Sequence, residues 1–457
     1  MANLVLVLLA ALEIGFLVFD QIKGSSKGTW SIRRLVVNLG ELAVFLLMLL
    51  LPGIDTSFRF KGLILLLVLR IVIAGLFAFI NRKKKESKKL AGKIVSLILS
   101  IMLISGALVP AFIFSDYNGL PLHGAYKVRN TDAILVDKDR VEKFEQDGSY
   151  REVPVYFFYP DTSSAGEKYP LIIFSHGAFG YYQSNVSTYM ELASNGYVVV
   201  SLEHPYHSIF THDTDGKTII VDSDFMNSVM TTGQDGTEED IYEVAKDWME
   251  VRVGDMNFAI DEIVKGADAK DVSDYWFESD NKKAEVLSVL DLIDSSKIGL
   301  MGHSMGGATS VEVGKIRDDI DAVIDIDGTM LGSITGASDG KFIVEDVDYR
   351  VPLFEIENMN AHKEAIEAER VGYPYPNNMI RKNADVYYGT YFEGALHMDY
   401  TDLPLFSPFL AKLLGSGDVD NEYIMDKFNS LAVDFFDCYI KGEGEFQVES
   451  SYPGVRK

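Results

Sequence analysis

Apolar and polar positions divide this 457-residue chain into two regimes. Up to residue 114 they come as long unbroken blocks: Leu4–Phe19, Leu35–Leu51, Leu63–Ile80 and Ile94–Phe114. A bilayer core about 30 Å thick needs roughly 17 to 25 apolar residues in a helix. The last three blocks meet that length. The first is shorter but lacks the basic start and small-residue cleavage site of a signal peptide. The pattern therefore predicts four transmembrane helices over residues 1–114. Glu13, Glu41 and Arg70 interrupt the blocks and are expected to pair inside the bundle, away from lipid.

Beyond residue 150 the blocks shrink to strand length. Val153–Tyr159, Leu171–Phe174, Tyr197–Leu202, Ile298–Met301, Ala322–Ile326, Val351–Ile356 and Asp385–Tyr391 are short apolar runs, several separated by helical patterns. Such runs indicate a mostly parallel sheet with helices on both faces. Residues 115–150 are read as a linker and first strand region, and 151–457 as the α/β domain. The stretch 211–290 is long for one crossover and is read as a helix plus an inserted cap or lid.

Charge sharpens the division. Residues 1–114 carry a net charge of +9, against −25 for the whole chain. A domain as acidic as the remainder is not expected to seek nucleic acid or an anionic membrane surface by charge. Lys23, Lys27, Arg33 and Arg34 follow the first block, and Arg82–Lys85, Lys88 and Lys89 follow the third. The positive-inside rule places both loops in the cytoplasm and sends residues 115–457 to the outer side, as part of a multi-pass protein of the cell membrane. Cys438 is the only cysteine, so no intrachain disulfide can form.

The chemistry centres on Ile298–Gly307. A strand ends in Gly302-His303-Ser304-Met305-Gly306, and a small-residue helical pattern follows. This is the G-x-S-x-G nucleophile elbow, in which a sharp strand-to-helix turn raises a serine hydroxyl. In α/β-hydrolases an acid and then a histidine follow the serine in the chain. His362 and His397 are the histidines downstream. His362 opens a charged helical pattern, whereas His397 lies in the loop after the last strand and is the expected base. Asp327 and Glu357 each end a strand and both remain open as the acid, with Asp325 a neighbouring rival. Ser175-His176-Gly177-Ala178 ends an early strand and nominates the backbone N–H of Ala178, with that of Met305, as oxyanion donors. His176 and His303 are expected to shape loops. His204, His207, His212 and Asp213 cluster without a zinc-binding spacing, and no metal or cofactor is called for.

These pieces resemble the plasma-type platelet-activating-factor acetylhydrolases, α/β-hydrolase-fold serine hydrolases that remove short or oxidised acyl chains from phospholipids. The resemblance rests on Phe174–Gly177, Glu203-His204, Gly302–Thr309, Ile326-Asp327 and His397. It implies that Asp327, on the strand after the elbow helix, is the acid, with Ser304 the nucleophile and His397 the base. It implies an ester or phospholipid substrate. The chain departs from the family at Met305, where an aromatic residue is usual, and at Gly328-Thr329-Met330, where bulkier residues are. The expectation is a membrane-anchored serine esterase. The alternative is a catalytically silent outer binding domain on a transmembrane transporter or sensor.

Overall fold

The computed structural model describes residues 1–162 and 166–455. It divides into two compact units. The first comprises Met1–Asn118 with Leu405–Leu410, and the second Gly119–Pro404 with the remaining C-terminal residues.

In the first unit, α1 (Ala2–Lys23), α2 (Lys27–Met48), α3 (Phe58–Asn81), α4 (Leu90–Ala107) and the short α5 (Val109–Ile113) follow one another. Three of these, α1, α3 and α4, are long and apolar enough to cross a membrane. This corrects the expected four. Helix α2 starts at Lys27, before its apolar block, and carries Arg33, Arg34, Asn38 and Glu41. The last block divides near Leu108, and Pro110 sits in the first turn of α5, where a missing N–H costs nothing. Glu13, Glu41 and Arg70 are buried, at 0%, 0% and 8% exposure. Arg70 and Arg34 both bond Glu13, and Arg70 Nη1 lies 2.9 Å from Glu41. The loops after α1 and α3 meet through a bridge between Ser26 and Ser87, with Lys27 N–H donating to the Glu86 carbonyl at 2.7 Å. Both basic loops thus share one end of the bundle.

The second unit is built on a nine-stranded sheet. Its strands are β1 (Val128–Val141), β2 (Tyr150–Pro160), β3 (Tyr169–Ser175), β4 (Val198–Leu202), β7 (Tyr275–Trp276), β8 (Ile293–His303), β9 (Ala322–Ile326), β12 (Leu353–Glu357) and β13 (Tyr387–Tyr391). Hairpins β5–β6 (Phe210–His212, Thr218–Ile220) and β10–β11 (Ile334–Ser338, Lys341–Val344) lie outside it. The order is β13-β12-β9-β8-β3-β4-β2-β1-β7. Strands β4, β3, β8, β9, β12 and β13 run parallel; β2, β1 and β7 pair antiparallel. Strands β3, β4, β9 and β12 are buried along their whole length, as befits strands covered on both faces. This is the α/β-hydrolase arrangement.

Residues 211–290 hold more than a crossover. After the β5–β6 hairpin come α7 (Ser223–Asp235), α8 (Glu238–Ala269) and α9 (Asp280–Leu290), numbered after α6 (Val186–Ser194). Helix α8 opens on a capping box, Thr237 with Asp240, which satisfies two N–H groups left bare at a helix start. Its middle packs Met256, Ala259, Ile260 and Ile263 into the core against the sheet. Its first half, with α7, helps wall the cavity described next.

Candidate active site

Strand β8 passes into α10 (Met305–Ile316) through Ser304, whose backbone has φ +57° and ψ −124°. A non-glycine residue rarely adopts that conformation, and it persists only where the surroundings enforce it. The enforcement is close packing. A Cβ on Gly306 would lie 1.9 Å from the Ser175 carbonyl, and one on Gly302 2.2 Å from the Gly306 carbonyl. Strand, turn and helix can approach this closely only because both residues lack side chains. The Ser304 N–H donates to the Ile326 carbonyl (2.8 Å), and the Asp327 N–H to the Ile356 carbonyl (2.7 Å). Each strand end is thus tied to the next.

Ser304, Asp327 and His397 all line one cavity of about 620 Å³. His397 Nδ1 donates to Asp327 Oδ2 at 2.5 Å. Asp327 also has positive φ, +57°. Period-two alternation places Asp325 and Asp327 on one face, but Asp327 lies past the end of β9 and turns away. Asp325 stays buried beneath the elbow, accepting from Gly328 N–H at 3.1 Å. Burial raises the Asp325 pKa well above the usual carboxylate value, and the Glu355 and Asp327 charges add to this.

Asp327 remains the stronger acid of the two. Burial opposes its charge, but the His397 imidazole and three hydrogen bonds from Asn358 outweigh that and lower its pKa. His397 moves the other way: burial disfavours its cation, yet the Asp327 carboxylate prevails and raises its pKa above 6.5. The His397 ring remains 42% exposed, toward the cavity side. Ser304 makes no side-chain hydrogen bond among the described residues, and such contacts tighten when substrate binds.

Glu357, the alternative acid, lies on the same cavity but is engaged elsewhere. Its carboxylate bonds Arg381 and meets His362 Nδ1 at 3.0 Å. His303 is buried, its pKa pushed down to about 3 by burial and the neighbouring His397. Neutral, it donates Nε2–H to the His397 carbonyl at 3.1 Å and so holds the loop that carries the imidazole.

The turn after β3 completes the floor. Gly177 passes close enough that a Cβ there would lie 3.1 Å from Ser304 Cβ. The flanking N–H groups are engaged, Phe179 with His207 O and Gly180 with Gly177 O, both at 3.1 Å. Among the described residues, that of Ala178 has no acceptor. Met305, first in α10, has no carbonyl one turn back to bond its N–H. Two free donors on the cavity wall are what an oxyanion requires.

Behind this turn lies a polar network that the sequence did not reveal. Ser175 Oγ donates to His204 Nε2 (2.9 Å), and His204 Nδ1 donates to Asp255 (3.0 Å). Arg151 forks onto Asp255 at 2.6 and 3.0 Å. Arg252, wholly buried, donates to the carbonyls of His176 (2.6 Å) and Gly177 (3.2 Å). His207 stacks on Phe225 at 3.7 Å. Of the histidines weighed as metal ligands, His204 and His207 thus serve the loop, whereas His212 lies exposed on the β5–β6 hairpin, 3.3 Å from Thr218 Oγ1; no group of three potential ligands converges among the described residues.

The family model for "Platelet-activating factor acetylhydrolase, isoform II" matches residues 152–452. Relatives named "Platelet-activating factor acetylhydrolase" from Cavia porcellus and Bos taurus are 26% and 25% identical over 302 and 297 residues. The matches cover 64% and 62% of this chain, but only 62% and 59% of the relatives' own length. A solved ferulic acid esterase from Streptomyces cinnamoneus is 18% identical, with a TM-score of 0.48 over 72% of this chain and 95% of that one.

Proposed function

Because the chain belongs to the platelet-activating factor acetylhydrolase isoform II family, we propose that it is a serine hydrolase of carboxylic esters acting through Ser304, Asp327 and His397. The observation that carries this reading is the His397–Asp327 pair on the cavity that the strained Ser304 turn enters. Asp327 fixes the imidazole with its proton on Nδ1, leaving Nε2 free to accept from Ser304. Ser304 Oγ attacks the ester carbonyl as His397 takes its proton, and the N–H groups of Ala178 and Met305 receive the oxyanion. His397 passes the proton to the departing alcohol. Water, deprotonated by His397, then releases the acid and restores the serine.

The substrate in this reading is a phospholipid with a short or oxidised acyl chain; the relatives' name indicates acetyl hydrolysis of platelet-activating factor for them. The apolar helices tether the enzyme at the bilayer, which raises the local concentration of lipid esters. The two basic loops share one end of the bundle, and α4 leads away from it. By the positive-inside rule the hydrolase unit then lies outside the cytoplasm. The test is turnover of phospholipids with sn-2 chains of graded length, alongside a short aryl ester. Wild type should prefer the shortest chains, and Ser304→Ala should be inactive on all. Unchanged turnover by pure Ser304→Ala protein would remove the assignment.

A further inference from the structure

A second cavity, of about 520 Å³, lies wholly within the helical unit, between α2, α3 and α4. Its titratable wall residues are all cations: Lys27, Arg34, Arg70 and Lys88. Of the carboxylates that pair with them, Glu13 and Glu41 are buried and off the wall, and Glu86 is exposed in the loop beside Lys27, also off the wall. The cavity therefore presents positive charge on one side of a set of ion pairs.

Part of that charge is uncommitted. Arg34 and Arg70 are paired with Glu13 and Glu41, and Lys27 with Glu86, so the uncommitted cation is Lys88. Lys88 makes no ion pair among the described residues, and its ammonium rests over the Trp30 ring at 4.3 Å. Burial and the Arg34 and Lys93 cations depress its pKa, so an anion arriving there relieves an existing repulsion.

The rest of the wall is of the opposite kind. Ile73 and Phe77 from α3, and Leu99 and Leu103 from α4, line it and are 44–54% exposed on the outside of the bundle. The cavity begins at the loop end, where Lys27 and Lys88 stand with the amphipathic Trp30, a residue suited to the headgroup level. Arg70 lies eleven residues along α3 from Asn81, about 16 Å deeper at 1.5 Å per residue. Cations at a helix end with an apolar flank running inward match the shape of a charged lipid, and basic pockets between membrane helices recognise anionic headgroups.

We infer that this cavity binds an anionic phospholipid, its phosphate held by Lys88, Lys27 and Arg34 and one acyl chain laid along Phe77 and Leu103. The site is separate from the Ser304 cavity and does not depend on the esterase reading. Recognition is electrostatic at one end and apolar at the other: a free anion lacks the chain, and a zwitterionic lipid brings a head-group cation that Lys27, Arg34 and Lys88 repel.

The test uses the full-length protein in neutral detergent and diether lipids, which carry no ester for Ser304 to cleave. Native mass spectrometry reads retention of diether phosphatidylglycerol, diether phosphatidylcholine and inorganic phosphate. Phosphatidylglycerol should bind one-to-one and at least ten-fold tighter than phosphatidylcholine. Inorganic phosphate at equal concentration should not displace it. Lys88→Glu should weaken phosphatidylglycerol at least ten-fold and leave phosphatidylcholine unchanged, and Lys88→Arg should keep it. Lys88 holds no partner that folding needs, and Lys27→Glu, in a half-exposed position, provides a second variant. Equal binding of the two lipids, displacement by inorganic phosphate, or full retention in both Lys→Glu variants would overturn the assignment.

Discussion

Replacing Asp327 by Asn changes one oxygen for one nitrogen, and the surroundings dictate where that nitrogen goes. Asp327 Oδ1 accepts from the Asn358 backbone N–H at 2.6 Å and from its Nδ2 at 3.0 Å; Oδ2 faces His397 Nδ1 and Asn358 Nδ2. The Asn358 backbone donor cannot move, so the new amide keeps its carbonyl at the Oδ1 position. Its NH2 then points at His397 and demands an acceptor there. The imidazole must carry its proton on Nε2 and can no longer take one from Ser304. A wrong tautomer of this kind costs about 10⁴-fold in kcat, or about 5.4 kcal/mol of transition-state stabilisation at 1.36 kcal/mol per decade. The pH profile should move as well. In wild type, kcat/KM falls as pH drops through the His397 pKa, which the carboxylate holds above 6.5. Without that carboxylate burial alone acts, and the residual activity should lose its acid limb to a pH below 6.5. Steady-state hydrolysis of a short aryl ester from pH 5 to 9 measures both. Activity within ten-fold of wild type, or an unmoved acid limb, would refute the reasoning.

Glu357→Gln should cost less than ten-fold in kcat on the same ester, because Glu357 serves Arg381 and His362 rather than the base; a loss matching that of Asp327→Asn would exchange their roles. Arg252→Leu strips the charged donor from the buried His176 carbonyl, at about 1–3 kcal/mol for a group left unsatisfied, whereas the Gly177 carbonyl keeps the Gly180 N–H and His176 Nδ1. Urea unfolding should show about 2–4 kcal/mol of destabilisation after lost packing is added, and a change below about 1 kcal/mol would contradict the anchoring role. Trp248 lines the Ser304 cavity against Phe225, so Trp248→Leu should shift the preferred acyl chain toward greater length in a graded ester series; an unchanged optimum would show that the chain lies elsewhere.

The sequence revealed most where the chemistry is local. The elbow is written in consecutive residues because its glycines answer contacts made within the turn and against one neighbouring strand. The buried parallel strands are legible as short apolar runs. Asp325 and Asp327 show where such reading stops: alternation holds only while the strand continues, and the reversal at Asp327 comes after its end. Asn358 gave a local signal that carried half its role. A polar residue between a strand and a helical pattern reads as a helix cap, and its Oδ1 does accept from Asn360 and Ala361 N–H. That its Nδ2 also holds Asp327 depends on neighbouring strands. The Ser175–His204–Asp255–Arg151 network joins four distant segments, and no spacing announces it. In the helical unit, α2 leaves the basic-loop end to which α3 returns, but its Arg34, Asn38 and Glu41 answer partners on other helices and make it less apolar than α1, α3 and α4. The segment Leu405–Leu410 joins that unit from far along the chain, with the Ser115 N–H donating to the Phe406 carbonyl at 2.8 Å.

Covalent capture tests the central claim most directly. A fluorophosphonate reacts only with a serine whose proton is withdrawn by a neighbouring base and whose oxyanion is met by donors. Wild-type protein should gain one phosphonyl group, located by peptide mapping at Ser304, and His397→Ala should label at least a hundred-fold more slowly. Absence of labelling in folded protein, or a modification located at any other serine, would contradict the account.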